Sequence, residues 1–220
     1  MPLSAGPSIN NQQISRSLST FGIAPSGEQI TMIREYVLLL LKWNQSISLT
    51  TVTDPEEIIS RHFGESMFAN KLLPMESCRL ADVGTGAGFP GLPLKILSPS
   101  LELVLIESNK KKYAFLSEVV RTLGLKGVEV IPDRFEQIRP ENFRIDFISA
   151  RALGDFKELF RWSAQALKPG GRILLWVGAE DATRLASNPS WIWEPATRIP
   201  DSQRRYILMG RPNAAISEKF

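Results

Sequence analysis

Gly84, Gly86 and Gly88 stand at alternate positions in the run Asp82-Val83-Gly84-Thr85-Gly86-Ala87-Gly88-Phe89-Pro90-Gly91. The run follows a strand-like segment and precedes the apolar, helix-like stretch Leu92–Leu97. Glycine lets a chain turn tightly and lets backbone approach a ligand, and a helix start exposes N–H groups. Glu107 closes the next strand-like run. An ionised carboxylate only accepts hydrogen bonds, so an acid placed there suits both hydroxyls of a ribose. Loop and acid together indicate a nucleoside cofactor and leave a dinucleotide and S-adenosylmethionine both open. The same glycines would also serve a purely structural strand–helix corner.

Two details favour S-adenosylmethionine. The spacing is Gly-x-Gly-x-Gly, whereas the dinucleotide fingerprint is Gly-x-Gly-x-x-Gly, although Gly88 and Gly91 blur the contrast. Asp82, two residues before the first glycine, would repel a pyrophosphate but accept from a methionyl ammonium or an ordered water. Further along, Asp133-Arg134-Phe135-Glu136 follows a third strand-like run, where an adenine would lie. There Phe135 could cover the base and Glu136 accept from its exocyclic amine; an ordinary core aromatic is the plain alternative for Phe135. Arg151 ends a fourth apolar run, placed either for a ligand or for a surface ion pair. No metal site is expected, since one histidine (His62) and one cysteine (Cys78) do not make a ligand set. No Gly-x-Ser-x-Gly elbow accompanies His62, which argues against hydrolysis and for a packed histidine.

The elements that must position these residues alternate as β and α from Arg79 onward. Strands are expected at Leu80–Val83, Leu103–Glu107, Val128–Ile131, Asp146–Ser149 and Arg172–Val177, with Trp191–Trp193 and Tyr206–Met209 as two further edge strands. Helices are expected at about Lys111–Leu123, stopped by Gly124, and about Asp155–Leu167, ending in a Lys168-Pro169-Gly170-Gly171 turn. Upstream, Ser26 with Gln29 forms a capping box for a helix whose Ile30, Ile33, Val37, Leu40 and Leu41 share a face. Asp54, Pro55 and Glu57 mark a second helix start. The fold class is therefore α/β: a Rossmann-like, mostly parallel sheet of seven strands with an N-terminal helical extension. The extension covers 1–78 and the cofactor-binding domain 79–220, packed as one unit.

Composition agrees with that size. The chain has 220 residues, 43% of them apolar, enough for a sizeable core. Residues 1–20 do not read as a secretory leader, the single cysteine fits a reducing compartment, and no run approaches the length of a membrane span. A cytoplasmic protein, monomeric by default, is expected. The net charge of +3 is uneven: residues 1–80 carry 6 basic and 7 acidic groups, the remainder 20 and 16. That lean permits contact with a polyanion without requiring it.

Taken together, the loop through Gly-Phe-Pro-Gly, Glu107-Ser108 with Lys111 and Phe115-Leu116, Ser149-Ala150-Arg151-Ala152 and Leu167-Lys168-Pro169-Gly170-Gly171 are specific. With Lys42-Trp43-Asn44, Leu49-Thr50, Asp54-Pro55-Glu56-Glu57 and His62-Phe63 upstream, they resemble the bacterial small-subunit rRNA guanine-N7 methyltransferases, the glucose-inhibited division protein B family. The resemblance covers roughly residues 30–211 in the expected order. It implies a class I enzyme that uses S-adenosylmethionine to methylate N7 of one guanosine in the 530 loop of 16S rRNA, free or in the small ribosomal subunit. Carried over, Gly84 and Phe89 would bracket the methionine and loop contacts, Glu107 would take the ribose, Phe135 and Glu136 would flank the adenine, and Arg151 would match the family's cofactor-pocket arginine. With Asp82, Gly86 and Gly88 these complete the expected cofactor set.

Three departures stand out. Ser48-Leu49-Thr50 replaces Asn-Leu-Thr, Glu65 stands in His62-Phe63-Gly64-Glu65-Ser66 where the family has aspartate, and Val177-Gly178 replaces Lys-Gly. The first two are chemically mild; the third removes a positive contact to RNA. Guanine N7 presents an in-plane lone pair and no proton, so no catalytic base is expected, only positioning. Phe89 or Trp43 could help cover the base pocket, with packing the plainer role for Trp43. Lys110, Lys111, Lys112, Arg134, Arg139 and Arg144 are the basic candidates for RNA, of which Arg134 sits near the inferred pocket. A methyltransferase with a small-molecule or protein acceptor, a nicotinamide dehydrogenase and a non-enzymatic RNA- or ribosome-binding protein are the competing readings. Pure RNA binding would need neither the glycine loop nor Glu107.

Overall fold

In a computed structural model of the chain, residues 9–151, 154 and 156–215 are described. Ala152, in one of the quoted motifs, and Asp155, the expected start of a helix, lie outside them. The helices before the sheet are α1 (Asn11–Ser19), α2 (Gly27–Asn44) and a broken run: α3 (Pro55–Ile58), a π-helical segment Ile59–Gly64, α4 (Glu65–Met67) and α5 (Ala69–Leu72). Asn10 caps α1 and Ser26 caps α2, each in a full capping box with a glutamine. Asp54 accepts from the Glu57 N–H at 2.8 Å, with Pro55 in the first turn of α3.

The sheet follows: β1 (Arg79–Val83), α6 (Gly91–Leu97), β2 (Glu102–Ile106), α7 (Lys110–Thr122), β3 (Val128–Ile131), β4 (Ile145–Arg151), α8 (Phe156–Ala166), β5 (Leu167–Gly178), α9 (Ala179–Ala186), β6 (Trp191–Trp193), β7 (Thr197–Arg198) and β8 (Arg205–Pro212). The strand order is β3-β2-β1-β4-β5-β8-β6, seven strands along the path, with the two-residue β7 added beside β8. The first five are parallel, and β8 pairs antiparallel with both β5 and β6. Two expectations change in detail. The Tyr206–Met209 strand is not an edge: it lies between β5 and β6, with the latter at the edge. Lys168–Gly171 does turn, with Gly170 at φ 81°, but it does so inside a long β5, as an unpaired bulge between Leu167 and Arg172. Leu167 already pairs with Ile145 before the register shifts, and Lys168 Nζ holds Asp146 at 2.8 Å.

Alternation along the strands sorts the core into two layers. Leu103 and Leu105 face α6, α7 and all the N-terminal helices in one apolar cluster, while Val104 and Ile106 face a second cluster containing α8 and α9 residues. The N-terminal helices thus supply part of the cover over one sheet face. At Gly64 the π-helical segment lies so close to Phe21 that a Cβ would fall 2.3 Å from the ring.

Candidate active site

β1 delivers the chain to the glycine loop at the carboxyl edge of the sheet, where ligands of open α/β sheets bind. Gly84, Gly86 and Gly88 all have positive φ, of 65°, 62° and 89°. The last two differ in what surrounds them. A Cβ at Gly88 would lie 2.4 Å from both Leu92 Cδ1 and Tyr36 Oη, so this glycine is required by packing. A Cβ at Gly86 would meet nothing nearer than the Gly84 carbonyl at 4.0 Å, so there the loop leaves space open.

Asp82 is wholly buried beneath the loop. Its Oδ2 accepts from Thr85 Oγ1 and from the Gly91 N–H at 2.9 Å, and its Oδ1 accepts from Ser149 Oγ at 2.8 Å. Three protein donors therefore occupy a carboxylate that was expected to face a cofactor ammonium, and its contacts tie β1, the loop, α6 and β4 together. Burial pushes its pKa up to about 6, against the lowering effect of those hydrogen bonds.

Glu107 follows β2 directly. Its Oε2 accepts from the Gly86 N–H at 2.9 Å and its Oε1 from the Asn109 N–H at 2.8 Å, the residue that also caps α7. A carboxylate has about four lone-pair sites, so two remain for a ligand. Beside it lies a cleft of 180 Å³ lined by Gly84, Ile106, Glu107, Arg134, Phe135 and Glu136 among others. The structure thus brings four expected residues, Gly84, Glu107, Phe135 and Glu136, around one space, with Gly86 bonded to its acid. Phe135 serves two roles, lining the cleft while its ring packs edge-on against Trp162 at 6.0 Å. Hollows of 620 Å³ exist elsewhere, by α8 and α9 and beside α1, but neither includes a loop residue. Complementary donors and acceptors, not volume, mark the site.

Phe89 and Arg151 stand apart from that cleft. The Phe89 ring is sandwiched behind the loop, stacked on Tyr36 at 5.4 Å and on His62 at 4.7 Å, while the Tyr36 hydroxyl donates to the Ala87 carbonyl. His62 Nε2 is 2.8 Å from Thr50 Oγ1, and its Nδ1 finds no partner among the described residues. Burial, then Arg151 and Arg61, lower its pKa to about 3, so the ring is neutral. Arg151 reaches the Arg61 carbonyl at 3.1 Å and Glu65 at 3.5 Å, and opens on a neighbouring cleft. Trp43 is a packing residue, donating to Glu118 at 2.9 Å. Sequence reasoning missed Tyr36 and Arg205, and did not single out Glu65 beyond noting that it replaces the family's aspartate.

A strand–glycine loop–helix followed by an acid at the end of the next strand, in a sheet of this order, can be compared with known proteins. A profile described as rRNA small subunit methyltransferase G matches residues 29–193. Ribosomal RNA small subunit methyltransferase G 1 of Syntrophobacter fumaroxidans is 36% identical, covering 90% of each chain. The Leuconostoc mesenteroides protein of that name is 37% identical over 96% of this chain and 95% of its own. The chain belongs to the rRNA small subunit methyltransferase G family. As a member it is an S-adenosylmethionine-dependent methyltransferase. Among solved structures, a SAM-dependent methyltransferase from Aquifex aeolicus superposes with a TM-score of 0.59 at 18% identity, over 71% of this chain and 93% of that one. The fold is that of class I methyltransferases. Among the described residues no helix is long and apolar enough to cross a membrane, and no group of three or more His, Cys, Asp or Glu is placed to hold a metal ion.

Proposed function

We propose that this family member transfers the methyl group of S-adenosylmethionine to N7 of a guanosine in the 530 loop of 16S rRNA. The observation that carries the cofactor half is Glu107: its two oxygens are aimed by backbone donors, with spare lone pairs facing an open cleft. Glu107 takes the ribose hydroxyls, Phe135 covers the adenine, Glu136 accepts from the adenine amine, and Gly84 and Gly86 allow close passage of the methionine. Asp82, Gly88 and Phe89 act from below, keeping the loop in its open shape. Arg151 lies at the far end, toward the acceptor. When bound, the cofactor supplies an electrophilic methyl whose bonding pair stays on sulfur while the N7 lone pair forms the new bond. No proton moves, so the chain's task is orientation, worth up to about 7–11 kcal/mol when ideal. His62, the one histidine, is half-buried and neutral against Phe89, in keeping with a reaction that needs no base.

The chain works as one unit, a helical extension over 1–78 and a methyltransferase domain over 79–220, in the cytoplasm, as a monomer, without a metal. The test is transfer of labelled methyl to unmodified 16S rRNA, naked and assembled into small subunits, followed by nucleoside analysis. Label in 7-methylguanosine, lost in Glu107→Ala, is expected. Cofactor binding with no RNA methylation in either form would redirect the search to another acceptor.

A further inference from the structure

Beyond the glycine loop from the adenosine cleft, at the carboxyl ends of β4 and β5, lies a second cleft of 250 Å³. Glu65, Arg151, Phe156, Trp176, Asp181 and Arg205 are among the residues that line it, together with Val177 and Gly178 at the end of β5. Its chemistry is unusual for a surface hollow. Glu65 is 2% exposed, accepts from Arg205 Nε at 2.8 Å, and meets Arg151 at a looser 3.5 Å. Trp176 Nε1 donates to the Glu65 carbonyl at 2.9 Å, fixing the residue's backbone against β5. A buried ion pair is weak evidence for stability, because desolvation offsets much of the attraction. Here the residue also lines the cleft, and two lone-pair sites remain on its carboxylate after its two guanidinium contacts.

Position adds to this. The sheet order places β1 between β2 and β4, so a cofactor held by Glu107 after β2 and running along the glycine loop after β1 ends beside β4. An acceptor must then enter over β4 and β5, where this cleft opens. We propose that the cleft receives the target guanine, with Glu65 accepting from its N1–H and N2 amine and with Phe156 and Trp176 as apolar walls. The inference rests on the guanine-N7 reading above. The edge carrying N1 and N2 lies across the base from N7, so a grip on it leaves the N7 lone pair pointing out of the cleft. Adenine offers neither donor, so the same carboxylate discriminates against it. Arg205, 40% exposed at its side chain, stands where the nucleotide's phosphate can reach it.

Two variants test the assignment. Glu65→Gln removes the charge and half the acceptor capacity. Gly178→Leu adds bulk to the cleft lining where a Cβ meets nothing closer than the Arg204 carbonyl at 3.9 Å, so it keeps the proposal testable even if Glu65→Gln does not fold. We measure S-adenosylmethionine affinity, binding of guanosine and adenosine monophosphate to the cofactor-loaded protein, and kcat/KM for 16S rRNA. In the folded variants, cofactor affinity within about twofold of wild type is expected, with guanosine monophosphate binding and rRNA kcat/KM each reduced about tenfold or more, the loss of one bidentate base contact. Folded variants that methylate rRNA as wild type does would overturn the cleft assignment while leaving the guanine-N7 reading standing. Weakened cofactor binding with unchanged nucleotide binding would overturn it too, assigning the cleft to the methionine end. A wild-type protein that makes no 7-methylguanosine overturns the function instead. Selective binding of guanosine over adenosine monophosphate, lost in Gly178→Leu, would still support the cleft.

Discussion

The two clefts at the carboxyl edge of the sheet are built by opposite means. The one over β1 and β2 is made from three short segments that follow successive strands, in which backbone N–H groups aim one acid, Glu107. The one over β4 and β5 gathers side chains from distant parts of the chain: Arg151 lies 86 positions from Glu65, and Arg205 lies 140 away. Backbone donors need only the right turn, and glycines supply it. A buried carboxylate among guanidiniums needs several elements packed correctly at once. Short-range spacing can specify the first kind of site; only packing can assemble the second.

The comparison can be broken most severely at Glu107. In the proposed role Glu107 accepts from two ribose hydroxyls, so Glu107→Ala is expected to weaken S-adenosylmethionine binding about a hundredfold or more, at about 1.5–3 kcal/mol per hydrogen bond to a charged group. Titration calorimetry measures it, and near-wild-type affinity would remove the acid from the cofactor site. Within the loop, Gly88→Ala and Gly86→Ala should separate. The first drives a methyl into Leu92 and Tyr36 and should lower stability by about 1–3 kcal/mol. The second meets open space and should mainly weaken cofactor binding, with a strain of about 1 kcal/mol from its positive φ. Paired thermal melts and binding curves distinguish them, and equal losses of stability would sink the distinction.

A pH series sharpens the comparison from behind the loop. His62 has a folded pKa of about 3 against 6.5 unfolded, so the folded state binds fewer protons. Its contribution to stability is present above pH 6.5 and is lost as pH falls toward 3. Asp82 runs the other way: raised from 3.8 to about 6, it favours the fold at low pH and loses that contribution as pH rises through 6. Melting temperatures of His62→Gln should therefore fall less steeply on acidification than those of the wild type; parallel curves would show that His62 does not govern the acid limb. The smallest expected effect is Trp176→Phe, which removes the hydrogen bond to the Glu65 carbonyl and should cost about 1 kcal/mol in denaturant unfolding. No loss would mean that the Glu65 backbone is held by its helix alone.

Much of the fold was legible because its signals are local. Asp54-Pro55 and Ser26 with Gln29 announce helix starts, and short apolar runs mark β1 to β4 at nearly their observed bounds. Pro169, Gly170 and Gly171 announce the turn at Lys168–Gly171, but not that β5 begins before it, because that depends on Leu167 pairing with Ile145 of another strand. The interior place of β8 was hidden for a related reason, since the order of antiparallel strands depends on partners that local patterning does not name.

Sequence alone was enough to place the glycine loop, Glu107 and the Phe135-Glu136 pair beside one cleft, because each stands at a fixed offset to a strand end. Tertiary structure decided what Asp82 and Phe89 do. Asp82 sits next to the loop in sequence, yet its carboxylate points inward and is used up by Thr85, Gly91 and Ser149. Phe89 ends the loop motif, yet its ring is clamped between Tyr36 and His62 from helices that precede the sheet. Spacing along the chain says which backbone groups will be near one another. Which way a buried side chain faces depends on the donors and rings that other elements bring to it.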